Sequence, residues 1–149
     1  MKDRITAGFI SGLIAGIAMS IIDWLGFLMG FYQEQLLDWA AIAILGRLPD
    51  TIGEIVFAQF GQLIFSGFLG VLFAVFLLKS TSGNYLIKGW LFSLAAWFSI
   101  YAISIAFRLP TLEQHSLSTV ISHALSASVY GLILSMALNY LDKASIKTQ

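Results

Sequence analysis

The segment Ile5–Phe31, ITAGFISGLIAGIAMSIIDWLGFLMGF, decides the fold of this chain. It contains one charged residue and exceeds the roughly 20 residues that an α-helix needs to cross a bilayer. Helical spacing places a row of small residues and one carboxylate on a single face; these are Gly8, Gly12, Gly16, Ser20 and Asp23. Such a helix packs closely against its neighbours and buries a polar group. We therefore expect a membrane protein.

The composition of the whole chain supports the same conclusion. Hydrophobic residues make up 58% and charged residues 11% of its 149 residues, whereas soluble domains contain roughly 25% charged residues. This length corresponds to one domain, so residues 1–149 are predicted to form a single integral membrane domain. The formal net charge of zero gives no basic character for binding nucleic acid. The absence of cysteine excludes disulfides and thiolate metal sites.

Four apolar segments are long enough to cross a bilayer. They cover residues 5–31, 52–78, 86–107 and 117–141. Each is continuously apolar, and backbone polar groups in lipid must be paired within a helix or a closed barrel. The sequence therefore predicts an all-α polytopic membrane protein with a four-helix transmembrane bundle. The short polar link at residues 79–84 predicts that the second and third helices are antiparallel neighbours.

A shorter helix is predicted between the first two spans. The segment from Gln33 to Thr51 is dominated by apolar residues, and Gly46 and Pro49 end it as helix-stop residues. Because this segment is too short to cross a bilayer, we predict a short interfacial or re-entrant helix on the outer surface. An ordinary helix that caps the bundle is the alternative.

The distribution of Lys and Arg predicts the orientation of the chain, because these residues concentrate in cytoplasmic loops. Six of them lie near the termini or the second link and two lie on the opposite side; in that order they are Lys2, Arg4, Lys79, Lys88, Lys143 and Lys147, then Arg47 and Arg108. We expect a multi-pass protein of the cell inner (plasma) membrane with both termini in the cytoplasm.

Each predicted span carries one face of small residues. There is little hydrophobic drive between helices in lipid, so they associate through close backbone approach and interhelical hydrogen bonds. Single faces of this kind are common by chance, but four in one chain indicate a compact bundle. The glycines that we expect at helix contacts are Gly8, Gly12, Gly16, Gly67, Gly70 and Gly131.

Four polar side chains are predicted to lie in the outer half of the bundle; they are Asp23, Gln59, Gln62 and His123. A charged side chain at the centre of a bilayer costs roughly 2.5–3.5 kcal/mol, so such groups face the interior and find partners there. One hypothesis is a buried cluster that binds a proton or a ligand, in which Asp23 and His123 share the proton. The alternative is that these groups only hold the helices together.

The sequence contains no recognisable catalytic, cofactor or metal motif. His115 and His123 are the only histidines, and only His123 is placed within a span, whereas a bis-histidine haem needs two ligands at matching depth. A nucleophile elbow, a phosphate-binding loop and a zinc-protease helix are missing. We therefore expect no enzymatic activity, no cofactor and no metal.

Several short segments resemble one family. They are residues 7–16 (AGFISGLIAG), the glycine-containing segment 61–76, residues 88–92 (KGWLF) and residues 122–131 (SHALSASVYG). The pattern is similar to that of the small uncharacterised four-span bacterial inner-membrane proteins typified by YagU. The resemblance implies a bacterial inner-membrane setting and no established reaction. That family often has a histidine in the second span, where this chain has Gln59 and Gln62, so no polar role is carried over to those positions.

Two functions are compatible with these features. The first is a non-enzymatic accessory or envelope-stress protein that acts through helix packing with itself, with lipid or with another membrane protein. The alternative is a small transporter subunit or channel-like oligomer with a proton or ion site in the outer half of the bundle. The expected partners are the lipid bilayer and a second copy of the chain or another membrane protein, and not nucleic acid.

Overall fold

Five α-helices form the fold in the computed structural model, which describes residues 3–32, 34–78, 83–109 and 115–146. The helices are α1 (Arg4–Leu28), α2 (Leu36–Leu45), α3 (Ile52–Leu78), α4 (Tyr85–Ala106) and α5 (Leu117–Ile146). Four of them are long and apolar enough to cross a membrane. The predicted all-α fold with four membrane-spanning helices is confirmed, and the chain is a multi-pass membrane protein.

The ends of the helices follow the local sequence. The carboxylate of Asp3 accepts two backbone N–H groups in the first turn of α1, as an N-cap residue does. At its other end α1 stops at Leu28, before the predicted Phe31. Gly30 there adopts a left-handed conformation with a φ of 74°, which ends a helix and turns the chain. Gly46 ends α2 in the same way, with a φ of 73°.

The central helix of the bundle is α1, because it packs against both α3 and α5. Its contact with α3 depends on glycines, whose missing side chains let two backbones approach each other. A Cβ atom built on Gly70 would lie only 2.7 Å from the Cα of Gly12. The contact between α4 and α5 is similar, since a Cβ atom on Gly89 would lie 2.7 Å from the Cβ of Ser135.

The glycines singled out in the sequence lie at these helix contacts. An added Cβ at any of three of them would meet backbone atoms across the α1–α3 contact; these are Gly8, Gly12 and Gly70. A Cβ on Gly16 would lie 2.7 Å from the Cβ of Ser66, and one on Gly67 would lie 2.5 Å from the nearest atom of the Phe9 ring. Gly131 faces the backbone of Gly89 across the α4–α5 contact.

Helices α3 and α4 face each other without close backbone packing. The closely packed pairs are α1 with α3, α1 with α5, α4 with α5, and α2 with α3. The ring of Phe92 in α4 lies 5.3 Å from that of Phe73 and 6.5 Å from that of Phe76, both in α3. These rings hold the two backbones apart. Helices α3 and α4, which the short link predicted to be neighbours, therefore enclose a cavity instead of packing closely. Residues 79–82 of that link lie outside the described residues.

The short helix predicted between the first two spans is α2, and it is packed onto the bundle. Leu37 and Ala41 are buried against Ala58 of α3. Other residues of α2, including Leu36 and Trp39, line the cavity between α3 and α4. This helix therefore forms one wall of the cavity.

The two ends of the described chain lie at the same end of the bundle. Arg4 in α1 forms an ion pair with Asp142 in α5, with a distance of 3.1 Å between Nη2 and Oδ2. An even number of spans requires this arrangement. Three residues used to predict the orientation lie outside the described residues, namely Lys2, Lys79 and Lys147. The cytoplasmic position of the termini and the inner-membrane location stay predictions.

The outward surface of the four long helices is made of large apolar side chains. Examples from each helix are well exposed, namely Ile14, Phe57, Phe98 and Met136. In water such a surface would drive aggregation, whereas the hydrocarbon of a bilayer matches it. The exposed surface therefore agrees with the lengths of the helices in indicating a membrane environment.

Candidate functional site

The carboxylate of Asp23 is buried where α1, the following loop and the start of α2 meet. Only 2% of Asp23 is exposed. Its Oδ2 accepts the backbone N–H of Leu36 at 2.9 Å, and the hydroxyl of Tyr32 lies 2.9 Å from its Oδ1. Leu36 is the first residue of α2, where N–H groups lack partners within the helix and the helix dipole favours negative charge. Asp23 thereby fastens α2 to the end of α1.

The ring of His123 lies beside this carboxylate. No part of His123 is exposed, and its Nε2 is 3.7 Å from Oδ1 of Asp23. The same nitrogen is 3.0 Å from the backbone oxygen of Glu34, and Nδ1 is 2.7 Å from the hydroxyl of Tyr101. A carbonyl oxygen only accepts, so Nε2 carries a hydrogen and donates it to Glu34. In the neutral ring Nδ1 then accepts from Tyr101.

The two glutamines belong to a second network, between α1 and α3. The Oε1 of Gln59 accepts the indole N–H of Trp24 at 2.9 Å. Its Nε2 donates to Ser20 at 3.0 Å and to Oε1 of Gln62 at 3.2 Å. The structure thus brings Asp23 and His123 together and places Gln59 and Gln62 in a separate network. The separation arises because the loop and α2, rather than α3, supply the hydrogen bonds to Asp23.

Some residues of the site could not be identified from helical spacing. Tyr32 and Glu34 reach the site only because the chain reverses at Gly30. The side chain of His115, just before α5, is 4% exposed, and its Nδ1 lies 2.6 Å from a carboxylate oxygen of Glu34. The indole of Trp39 stacks on the His115 ring at a centroid distance of 5.4 Å. The carboxylate of Glu34, two positions before the first residue of α2, is a signal for a polar partner, but the sequence does not say which one.

Burial also affects the titratable groups outside the spans. Burial raises the pKa of the Tyr32 hydroxyl above its ordinary value, and the nearby Asp23 carboxylate raises it further. Burial likewise raises the pKa of Asp38, although the hydrogen bond from the backbone N–H of Gln35 opposes this shift. Both groups therefore favour their protonated forms, because they are shielded from water near the start of α2.

A cavity of about 430 Å³ lies among α2, α3, α4 and α5. This volume is within the range of roughly 300–1,000 Å³ of small-molecule sites. Phe65 of α3 and Ile103 of α4 line it although each is about half exposed, so the cavity opens sideways between these two helices. Its lining includes His123 and Gln62, one residue from each of the two polar networks.

The wall of the cavity is mainly apolar and aromatic, and it carries no charge. Among the described residues that line it there is no Asp, Glu, Lys or Arg. Its polar members are Gln62, Ser66, Ser93, Tyr101, His123 and Tyr130, together with the indole N–H groups of Trp39 and Trp97. In the described ranges, no three His, Cys, Asp or Glu side chains are grouped so that they could hold a metal ion. The arrangement is suited to binding an uncharged molecule.

One family matches the chain. It is DUF6789, described as a family of unknown function, and the match covers residues 2–148. No curated protein and no solved structure gives a significant match. The family match does not connect the chain to the YagU-like proteins, so that resemblance stays a prediction.

Proposed function

Because the chain belongs to DUF6789, a family of unknown function, we propose its role from the geometry of the cavity. The protein is a non-enzymatic membrane protein that binds a lipophilic small molecule between α3 and α4. The observation that carries this proposal is the cavity of about 430 Å³ enclosed by α2, α3, α4 and α5. In this proposal, the accessory or envelope-stress role that the sequence predicts is carried out by binding this small molecule.

The sideways opening supports a ligand that arrives through the bilayer. Phe65 and Ile103 stand at the gap between α3 and α4 and are about half exposed on the lipid-facing surface. A lipophilic molecule is concentrated in the hydrocarbon and meets this gap directly. A water-soluble molecule would have to lose its hydration to reach the same place, which costs free energy for every polar group left unpaired.

The packing of the bundle supports a cavity that persists without a ligand. Close contact of α1 with α3 and α5, and of α4 with α5, fixes three sides of the bundle. The rings of Phe73 and Phe92 keep α3 and α4 apart near their linked ends. Closing the cavity would therefore require these helices to repack.

Filling the cavity is expected to abolish binding. Ala96 of α4 lines the cavity, and Ala96→Phe places a ring inside it. We expect labelling of cavity residues by an apolar diazirine photoprobe to fall by roughly tenfold, because the loss of about 1.4 kcal/mol of apolar contact changes occupancy by that factor. Labelled residues are identified by mass spectrometry on the full chain in lipid nanodiscs.

The matched control is Ala102→Phe on the same helix. Ala102 is exposed on the outward surface of α4 and does not line the cavity, so its variant is expected to keep the labelling of Trp39 and Trp97. If the photoprobe labels only outward-facing residues of the unmodified protein, the proposed function is wrong.

The second candidate function is a proton or ion site in a transporter subunit or channel-like oligomer. The observation that favours it is the distance of 3.7 Å between Nε2 of His123 and Oδ1 of Asp23, both buried. This distance is just beyond hydrogen-bond reach, so a small shift of either side chain would let the carboxylate and the imidazole exchange a proton. His123 also lines the cavity.

Proton flux into proteoliposomes that contain a pH-sensitive dye tests this candidate. Asp23→Asn and His123→Ala are expected to abolish flux, because each removes one member of the pair. Asp142→Asn, at the opposite end of α5 and paired with Arg4, is expected to retain it. Flux that survives in both pair variants, or that is absent from the unmodified protein, would reject the candidate.

A further inference from the structure

We propose that the ligand of this cavity is a neutral apolar molecule that presents carbonyl oxygens, with a planar quinone-type ring as the best fit. This inference rests on the proposed function and names its ligand class. It depends on three features of the cavity, namely which hydrogen-bonding atoms lack partners, which charges are present, and how the aromatic rings are arranged.

The first unpartnered atom is Nε2 of Gln62. Only 6% of Gln62 is exposed, and within the described part of the chain this nitrogen has no hydrogen-bond partner. Its identity as a donor follows from its neighbours. Trp24 can only donate, so Gln59 faces it with Oε1 and directs Nε2 towards Gln62. Gln62 must accept this hydrogen bond with Oε1, so its own Nε2 has two N–H groups and no acceptor.

Two further donors belong to the same wall. The indole nitrogen of Trp39 in α2 is buried and has no partner among the described residues, whereas that of Trp97 in α4 is buried beside the hydroxyl of Tyr101 without a well-formed hydrogen bond to it. Both side chains line the cavity. An indole N–H donates and never accepts. Three helices therefore each supply one donor to the wall, and the donors of Gln62 and Trp39 have no acceptor. A buried donor without a partner costs roughly 1–3 kcal/mol, and an acceptor oxygen on a ligand removes that cost.

The hydroxyl groups of the wall do not compete for this role. Ser66 donates to the backbone oxygen of Gln62, and Tyr130 donates to the backbone oxygen of Ser66. Ser93 donates to the backbone oxygen of Trp90. Their hydrogens are already used within the protein. Since the described lining also lacks charged side chains, an ionic ligand would have no counter-charge there.

The aromatic rings favour a planar ligand. The ring of Tyr101 lies 4.8 Å from that of Trp39 and 5.2 Å from that of Trp97, measured between centroids. These three rings form a continuous aromatic wall, against which a flat ring can stack with offset geometry. Carbonyl oxygens on such a ring would meet the indole and amide N–H groups around it. The ester carbonyl of a phospholipid acyl chain offers the same acceptor chemistry without the ring.

The test measures displacement of the apolar diazirine photoprobe from the full chain in nanodiscs. The displacing molecules are decylbenzoquinone and decylbenzene, which share a ring and a chain but differ in the carbonyl oxygens. We expect the quinone to displace the probe at a concentration at least tenfold lower than the hydrocarbon, equivalent to about 1.4 kcal/mol.

A comparison of nanodiscs made of diester and diether phosphatidylcholine tests whether the acceptor comes from a lipid. Weaker probe labelling in the diester lipid alone would identify the acyl ester as the occupant.

Two variants connect the effect to the named donors. Trp97→Phe and Gln62→Met are each expected to reduce the advantage of the quinone by roughly 3- to 10-fold, the effect of one lost hydrogen bond. Trp90→Phe is the control, because Trp90 lies on the same helix as Trp97 but donates to Ser128 outside the cavity. It is expected to leave the advantage unchanged.

The outcomes separate this inference from the proposed function. Equal displacement by the quinone and the hydrocarbon, together with equal labelling in diester and diether lipid, overturns the ligand class while the cavity remains a binding site. Absence of cavity labelling by the photoprobe in any lipid overturns the proposed function itself.

Discussion

Replacing Asp23 with alanine is expected to lower the free energy of unfolding by about 1–3 kcal/mol, because the change leaves a buried donor without its acceptor. This donor is the backbone N–H of Leu36, whereas the hydroxyl of Tyr32 keeps the backbone oxygen of Asp23 as its acceptor. The N–H of Leu36 opens α2, so its loss also releases this helix from the end of α1. We therefore expect the largest local change at α2.

Thermal unfolding in detergent measures the stability, and hydrogen exchange at the Leu36 amide reports the local effect. Asp142→Ala is the control, because Asp142 pairs with Arg4 where both side chains are partly exposed. A partly exposed ion pair contributes no more than about 1 kcal/mol. Equal losses in the two variants, or unchanged exchange at Leu36, would contradict the anchoring role of Asp23.

Gly70→Val is expected to reduce the stability by about 2–3 kcal/mol, because the side chain would overlap the backbone of α1. A Cβ atom at Gly70 would lie 2.7 Å from Cα of Gly12 and 2.8 Å from its nitrogen. Backbone atoms cannot move aside as a flexible side chain does, so α1 and α3 must separate. Since α1 is the central helix, we expect the loss to affect the whole bundle.

Gly53→Val on the same helix is the matched control. The nearest atom to a Cβ at Gly53 is the hydroxyl oxygen of Thr51, 4.0 Å away. The substitution is therefore expected to change stability by less than about 0.5 kcal/mol. Denaturation of both variants in the same detergent compares them directly. A Gly70→Val protein as stable as Gly53→Val would show that the α1–α3 contact is not limited by this glycine.

The Asp23 anchor and the cavity are structurally connected. Leu36, whose N–H is held by Asp23, lines the cavity, as does Trp39 one turn further along α2. His123 contacts both sites, since it lies beside Asp23 and also forms part of the cavity wall. A ligand that displaces α2 would therefore change the surroundings of the Asp23 and His123 pair. This connection gives the two candidate functions a common structural basis.

Part of the site could be predicted from the sequence. Depth along the spans indicates that Asp23 and His123 lie in the same half of the bundle, because a fixed rise per residue converts position into depth. The structure places them within 3.7 Å. The same reasoning grouped Gln59 and Gln62 with them, and depth alone cannot separate the two networks. Rotation of each helix about its axis decides which groups meet, and that depends on the packing of all the helices together.

The sequence by itself determined the number of spans and the glycine faces of the helices. Continuous apolar length and close backbone approach are local properties of each segment, so Ile5–Phe31 already specified a closely packed membrane helix with one buried carboxylate. Only the tertiary structure decided that Tyr32 and the start of α2 hold Asp23, and that α3 and α4 stay apart. The turn at Gly30 and the rings of Phe73 and Phe92 bring about these results. Both bring side chains of one helix against another helix or a loop, so the pattern within a single helix does not encode them.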